Sequence, residues 1–141
     1  YFIKKYFYPE LCINLTKKLF LFANTSIDIS DGLITDLDKL INKQNFSYKI
    51  FLKNIPVSRN LQKLINLKKI KKSNCISQGD DYQILFTASQ SKSRIIAKTC
   101  KSMGIKISKI GKICNSTQKS QIIDENNNKI TFKNKGYYHT F

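Results

Sequence analysis

The chain has 141 residues, 41% of them hydrophobic, which suits one domain with a buried core and argues against a disordered chain. Its formal net charge of +16, from 25 Lys and Arg against nine Asp and Glu, first points to nucleic acid or an anionic membrane. Against nucleic acid, arginine occurs only as Arg59 and Arg94; separately, no apolar run reaches the roughly eighteen residues of a membrane-spanning helix.

The sequence opens at Tyr1, without Met, in the aromatic stretch "YFIKKYFYPE", and the expectation is a piece of a longer protein whose N-terminal part continued into it. Pro9 and Glu10 stand at a predicted helix start, and Leu11, Leu15, Leu19 and Phe22 recur at helical spacing to about Asn24. "TSIDIS" alternates Ile27 and Ile29 with polar residues, as a short strand does. Gly32 follows, and Leu33, Ile34, Leu37, Leu40 and Ile41 then fall on one helical face, giving strand, tight turn and helix.

In "SYKIFLKNIP", Tyr48, Ile50 and Leu52 alternate as a strand ending at Pro56, and a short amphipathic helix is predicted from Ser58 to Asn66. The lysine run "LKKIKK" reads as a solvated face or loop rather than a binding patch. "YQILFTA" predicts a second strand, entered directly from Asp80 and Asp81. Ser91 to Met103 predicts a helix with Ile95, Ile96, Ala97 and Cys100 inward, closed by Gly104. "IKISKIGKI" alternates as one strand or a pair bent around Gly111, "QIIDENNNKITF" reads as a hairpin turning on Asn126 to Asn128, and "GYYHTF" as a compact aromatic end.

Cys12, Cys75, Cys100 and Cys114 lack metal-type spacing, and His139 cannot complete a Cys/His set, so reduced and mostly buried thiols are expected.

The acids are unevenly placed. Asp28, Asp31, Asp36, Asp38, Asp80 and Asp81 account for six of nine, in "SIDISDGLITDLDKL" and "SQGDDYQILF", and the two segments are read as parts of one site. Asp28 at a strand end and Asp31 at a helix start bring two hard oxygen ligands to one rim, which suits Mg²⁺ with water and substrate phosphates. Ser30 adds a hydroxyl, and Gly32 permits close backbone approach. A structural reading stands beside this one, with Ser30 or Asp31 as helix N-cap and aspartates favouring the helix dipole.

"IDISDGLITDL", then "GDDYQILFTA" about fifty residues later, then the terminal "GYYHTF", together resemble the thiamine-monophosphate kinase family in motif order and spacing. The resemblance spans nearly all of this chain and corresponds to the C-terminal half of the family's length. It implies an α+β fold, a mixed β-sheet flanked by helices like the C-terminal domains of the aminoimidazole ribonucleotide synthetase superfamily. It further implies ATP-dependent phosphorylation of thiamine monophosphate to thiamine diphosphate by direct transfer with Mg²⁺. Asp28 and Asp31 are then metal ligands, Ser30 lies at the ATP, and Asp80 and Tyr137 meet the thiamine. A carboxylate and an aromatic face suit a cationic thiazolium ring.

The sequence departs from the family pattern in having Gln78 at a glycine position and Asp80 in place of a glutamate. Residues 1–141 are expected to form a single domain that needs a missing N-terminal ATP-binding half, is inactive alone, and belongs to a cytoplasmic enzyme dimerising mainly through that half. The alternatives are another ATP-using superfamily member of the selenophosphate synthetase or hydrogenase maturation factor type, or a basic nucleic-acid-binding module. Neither nucleic acid nor membrane is expected as a partner.

Overall fold

The computed structural model describes residues 1–41, 44–115, 117–132 and 136. The chain starts with helix α1 (Phe2–Phe7), which buries none of its residues, and continues into the single turn α2 (Ile13–Thr16). A 3-10 turn, Leu19–Leu21, leads to strand β1 (Thr25–Asp28) and helix α3 (Leu33–Leu40). Strand β2 (Phe46–Phe51) passes through a 3-10 turn, Leu52–Asn54, to helix α4 (Arg59–Asn66) and the short α5 (Lys72–Cys75). Strand β3 (Ile84–Thr87), a 3-10 turn, Gln90–Lys92, helix α6 (Ser93–Ser102) and strands β4 (Gly111–Asn115), β5 (Gln121–Ile123) and β6 (Lys129–Ile130) complete the described elements.

This is an α+β fold with two sheets. β1 and β3 form an antiparallel pair, and the larger sheet runs β4-β2-β5-β6. It is mixed, because β2 pairs antiparallel with β4 but parallel with β5.

The main core lies between α3 and this larger sheet. Leu33, Ile34, Leu37 and Leu40 meet Tyr48, Ile50, Leu52 and Ile122, with Ile29 and Ile76 closing the edge. Burial of such a side chain stabilises by about 1.5–3 kcal/mol, so α3 is held by its apolar face rather than by its eight-residue length. A smaller cluster of Leu15, Phe22 and Cys100 covers the other side of the β1–β3 pair, packing with Ile84 and Phe86, while Leu85 and Ile27 turn to the main core. Both faces of β3 are therefore covered, which explains its unbroken apolar run "ILF".

The predicted helix from Pro9 to Asn24 is broken in the structure. Leu15 and Phe22 are buried, but Leu11 and Phe20 are 57% and 80% exposed, so the apolar stripe has little to pack against beyond one turn. α2 also lacks a side-chain N-cap, and an uncapped helix without tertiary support does not propagate.

In α6 only Ile96 and Cys100 of the predicted inward set face the core; Ile95 and Ala97 are exposed. Positions 96, 100 and 103 share a face three to four residues apart, and 95 and 97 flank it outside. β2 ends at Phe51, before Pro56, and β3 begins two residues after Tyr82. Residues 105–110 form no strand, so the alternation of "IKISKI" is realised only from Gly111 onward. The hairpin turn is as expected: Asp124 Oδ1 accepts from the amides of Asn126 and Asn128, both at 2.8 Å, and Asn127 takes φ +64°. The cysteines are free, and only Cys100 is fully buried, fewer than the sequence led one to expect.

Candidate active site

The turn after β1 is organised by Asp36, an acid that the sequence places merely within a helix. Its carboxylate is fully buried. Oδ2 accepts from the backbone amides of both Ser30 and Asp31 at 2.9 Å, and Oδ1 accepts from Lys39 Nζ at 2.9 Å. The residue thus reaches back from the first turn of α3 and ties down the "ISD" backbone. Neither Ser30 nor Asp31 caps the helix: the N-cap is Gly32, with φ +115° and no side-chain bond, so the capping alternative does not account for either residue. Only glycine adopts that backbone without strain.

The second acidic segment lies against this turn. Antiparallel pairing puts Asp28 opposite Ile84 and Ile27 opposite Leu85. The ladder continues past the strands, with Ile29 donating to the Gln83 carbonyl at 2.9 Å, Tyr82 to Ile29 at 2.8 Å and Asp80 to Ser30 at 2.9 Å. Gly79 approaches so closely that a Cβ there would collide with the Ser30 carbonyl oxygen. The pairing of "DISD" with "GDDY" is therefore backbone on backbone, and a glycine at position 79 is its steric condition.

Asp80 and Tyr82 both take positive φ, +64° and +50°. Aspartate tolerates this region, whereas for tyrosine it is uncommon and strained. The Tyr82 hydroxyl donates to Asp80 Oδ1 at 3.0 Å and so fixes that carboxylate. This bond raises the tyrosine pKa most, followed by the charge of Asp80, with a smaller push from Asp28. The tyrosine thus feels both acidic segments. The expected strand "YQILFTA" began at Tyr82, and this is corrected: Tyr82 precedes β3 and serves the loop. Asp81 is exposed as a residue, yet loss of water around its carboxyl, followed by the charge of Asp80, raises its pKa.

Asp28 is exposed at the end of β1, and Ser30 is half-buried. The Asp31 side chain, 16% exposed, forms an ion pair with Lys39, whose own side chain is 46% exposed. Lys39 therefore bridges Asp31 and Asp36. Asp38 stands apart, its Oδ1 accepting from Tyr48 Oη at 2.9 Å. Tyr48 is buried, and removal from water, followed by the Asp38 charge, pushes its pKa up.

Asp36, Lys39 and Tyr82 are the residues that sequence reasoning missed here. The i, i+3 spacing of Asp36 and Lys39 was their one visible signal. Among the described residues no group of three or more His, Cys, Asp or Glu side chains converges to hold a metal by itself. Tyr137 lies outside the described residues, but the preceding Gly136 is described: a Cβ there would collide with the Thr35 hydroxyl and the Asp31 carbonyl, so the tail begins beside the acidic turn. The Thr35 hydroxyl is buried and has no hydrogen-bond partner among the described residues.

No protein-family model matches the chain. Among curated proteins it is 34% identical over 140 residues to thiamine-monophosphate kinase of Buchnera aphidicola subsp. Acyrthosiphon pisum, covering 99% of this chain and 42% of the relative. It is 35% identical over the same shares to the enzyme of Buchnera aphidicola subsp. Schizaphis graminum. The chain thus spans about two-fifths of the length of these relatives.

Its fold superposes on thiamine-monophosphate kinase of Stenotrophomonas maltophilia K279a with a TM-score of 0.72 at 24% identity, over 83% of this chain and 36% of that one. It matches AaThiL complexed with AMPPCP and TMP equally well, at 0.72 and 23% identity, over 96% of this chain and 40% of that one. In sequence over nearly its whole length, and in fold, the chain is a relative of the thiamine-monophosphate kinases, matching the C-terminal portion of their length.

Proposed function

We propose that this chain forms the C-terminal half of a thiamine-monophosphate kinase, which transfers the γ-phosphoryl group of ATP directly to thiamine monophosphate. One observation carries the reading furthest. Backbone bonds that extend the β1–β3 pairing lay the second acidic segment along the first, in a chain whose relatives bear that enzyme's name. The complex of a fold neighbour with AMPPCP and TMP supports ATP and thiamine monophosphate as the substrates.

Asp28 and Asp31 are the residues proposed to hold Mg²⁺. Two carboxylates are too few for an all-protein cage, but they fit Mg²⁺, which keeps waters and takes its remaining ligands from substrate phosphates. The ion, when bound, neutralises charge on the transferring phosphoryl group. The chain's own residues act around it. Asp36 holds the Ser30–Asp31 backbone in place, and Ser30 is assigned to the nucleotide. Asp80, fixed by Tyr82, presents a negative charge to the cationic thiazolium, with Tyr137 assigned to the ring face.

We place the nucleotide-binding remainder in a separate N-terminal half, since the relatives are more than twice as long as this chain. The exposed Ile3, Phe7 and Tyr8 of the α1 region, 75%, 67% and 75% accessible, support a contact with that half. The reading also includes a homodimer in the cytoplasm. No described helix is long and apolar enough to cross a membrane.

The test is steady-state formation of thiamine diphosphate by the full-length protein. Asp80→Asn is expected to raise the KM for thiamine monophosphate by about tenfold, and Tyr82→Phe by a smaller factor, because it releases rather than removes the carboxylate. The KM for ATP should change little in either. Equal effects on the two substrates would remove Asp80 from the thiamine side. Failure of the wild-type protein to form any thiamine diphosphate would sink the assignment.

A further inference from the structure

Lys39 occupies an unusual position for a residue with no assigned role. It extends from the last turn of α3 back over the acidic turn, and its ammonium bonds Asp31 Oδ2 and, at 2.9 Å, Asp36 Oδ1. The two contacts differ in kind. Asp36 is buried and held by two backbone amides, so its end of the bridge is fixed. Asp31 is partly exposed, and Lys39 is nearly half-exposed, so their pair is the end that opens to water. A lysine ammonium on a flexible four-carbon stem gives up one partner at little cost when the pair is solvated.

We propose that Lys39 is the counter-ion that a divalent cation displaces from Asp31, and that it thereby sets the cation affinity of this site. The proposal rests on the assignment of Asp31 as a metal ligand. In the absence of the cation, Lys39 neutralises Asp31 and keeps its carboxylate from repelling Asp36. When the cation binds, it takes the place of the singly charged ammonium at Asp31, and the ammonium keeps its bond to Asp36. The site thus carries its own monovalent competitor. A second role follows from charge alone: an ammonium retained on Asp36 stays close to the bound ion and weakens its binding electrostatically.

The experiment is Mn²⁺ binding to the full-length protein without nucleotide, followed by electron paramagnetic resonance of the free ion, for wild type, Lys39→Gln, Lys39→Arg and Asp31→Asn. Glutamine removes the charge while its amide can still donate to Asp36; thermal unfolding of each variant confirms that the folded protein is being titrated. Lys39→Gln is expected to tighten Mn²⁺ binding by about tenfold, since a competing unit charge is gone. Lys39→Arg should bind no more tightly than wild type, and Asp31→Asn should lose affinity. Unchanged or weaker binding by Lys39→Gln, with Asp31→Asn still impaired, overturns the role of Lys39 while leaving the metal assignment standing. Wild-type affinity in Asp31→Asn overturns the metal assignment, and this proposal with it.

Discussion

Replacing Asp36 with alanine is expected to lower stability by about 3 kcal/mol, because each partly buried amide left without its acceptor costs about 1–3 kcal/mol. Three donors lose their acceptor at once: the amides of Ser30 and Asp31 and the ammonium of Lys39. The two amides lie in a partly buried turn that must also receive the Asp80 amide on the Ser30 carbonyl, so the damage extends to the second acidic segment. A loss of that size lowers the midpoint of thermal unfolding by about ten degrees or more in a domain of this length.

Asp36→Asn should cost less. Its carbonyl can still accept from the two amides, but its own amide group then faces Lys39. Urea or thermal unfolding of the three proteins measures both effects. A loss below about 1 kcal/mol for Asp36→Ala, the scale of an exposed ion pair, would mean that Asp36 does not hold the turn.

The site was only partly legible in the sequence, and the reason is specific. Alternation and helical spacing located β1, α3 and β2, because in each the buried face decides the conformation, while the Asn126 to Asn128 run located the Asp124 hairpin by its turn chemistry. They could not locate Asp36, since an aspartate four positions into an amphipathic helix looks solvated; its burial depends on a backbone turn that bends back over the helix start. The two acidic segments could be read as one site from their motifs, but the strand pairing that joins them is non-local. No spacing rule reveals that Gly79 must meet the Ser30 carbonyl. The helix expected before Asn24 failed for the opposite reason: its stripe was clear, but periodicity does not say whether a core exists for it to face. Tyr82 was misread because a tyrosine at the edge of an apolar run resembles a strand residue, whereas here it takes positive φ and bonds Asp80.

The second large effect concerns the chemistry. Asp31→Asn and Asp28→Asn keep side-chain size and leave the fold in place: Asp28 is exposed, and Asp31 shares with Lys39 an ion pair open to water, worth about 0–1 kcal/mol. Neither caps α3, so no helix-capping term is lost. What each change removes is negative charge at the rim where Mg²⁺ is proposed to bind. Asp38→Asn is the internal control, because asparagine can still accept the hydrogen bond from Tyr48 Oη and Asp38 belongs to the helix rather than the rim.

The decisive measurement is kcat for thiamine diphosphate formation by the full-length protein as Mg²⁺ is varied, with unfolding midpoints recorded for each variant. For Asp28→Asn and Asp31→Asn the account requires a fall in kcat on the order of 100-fold, with a raised Mg²⁺ requirement and near wild-type stability, while Asp38→Asn stays within a few-fold of wild type. If all three variants turned over alike at every Mg²⁺ concentration, the acidic rim would hold no catalytic metal and the central claim would be contradicted.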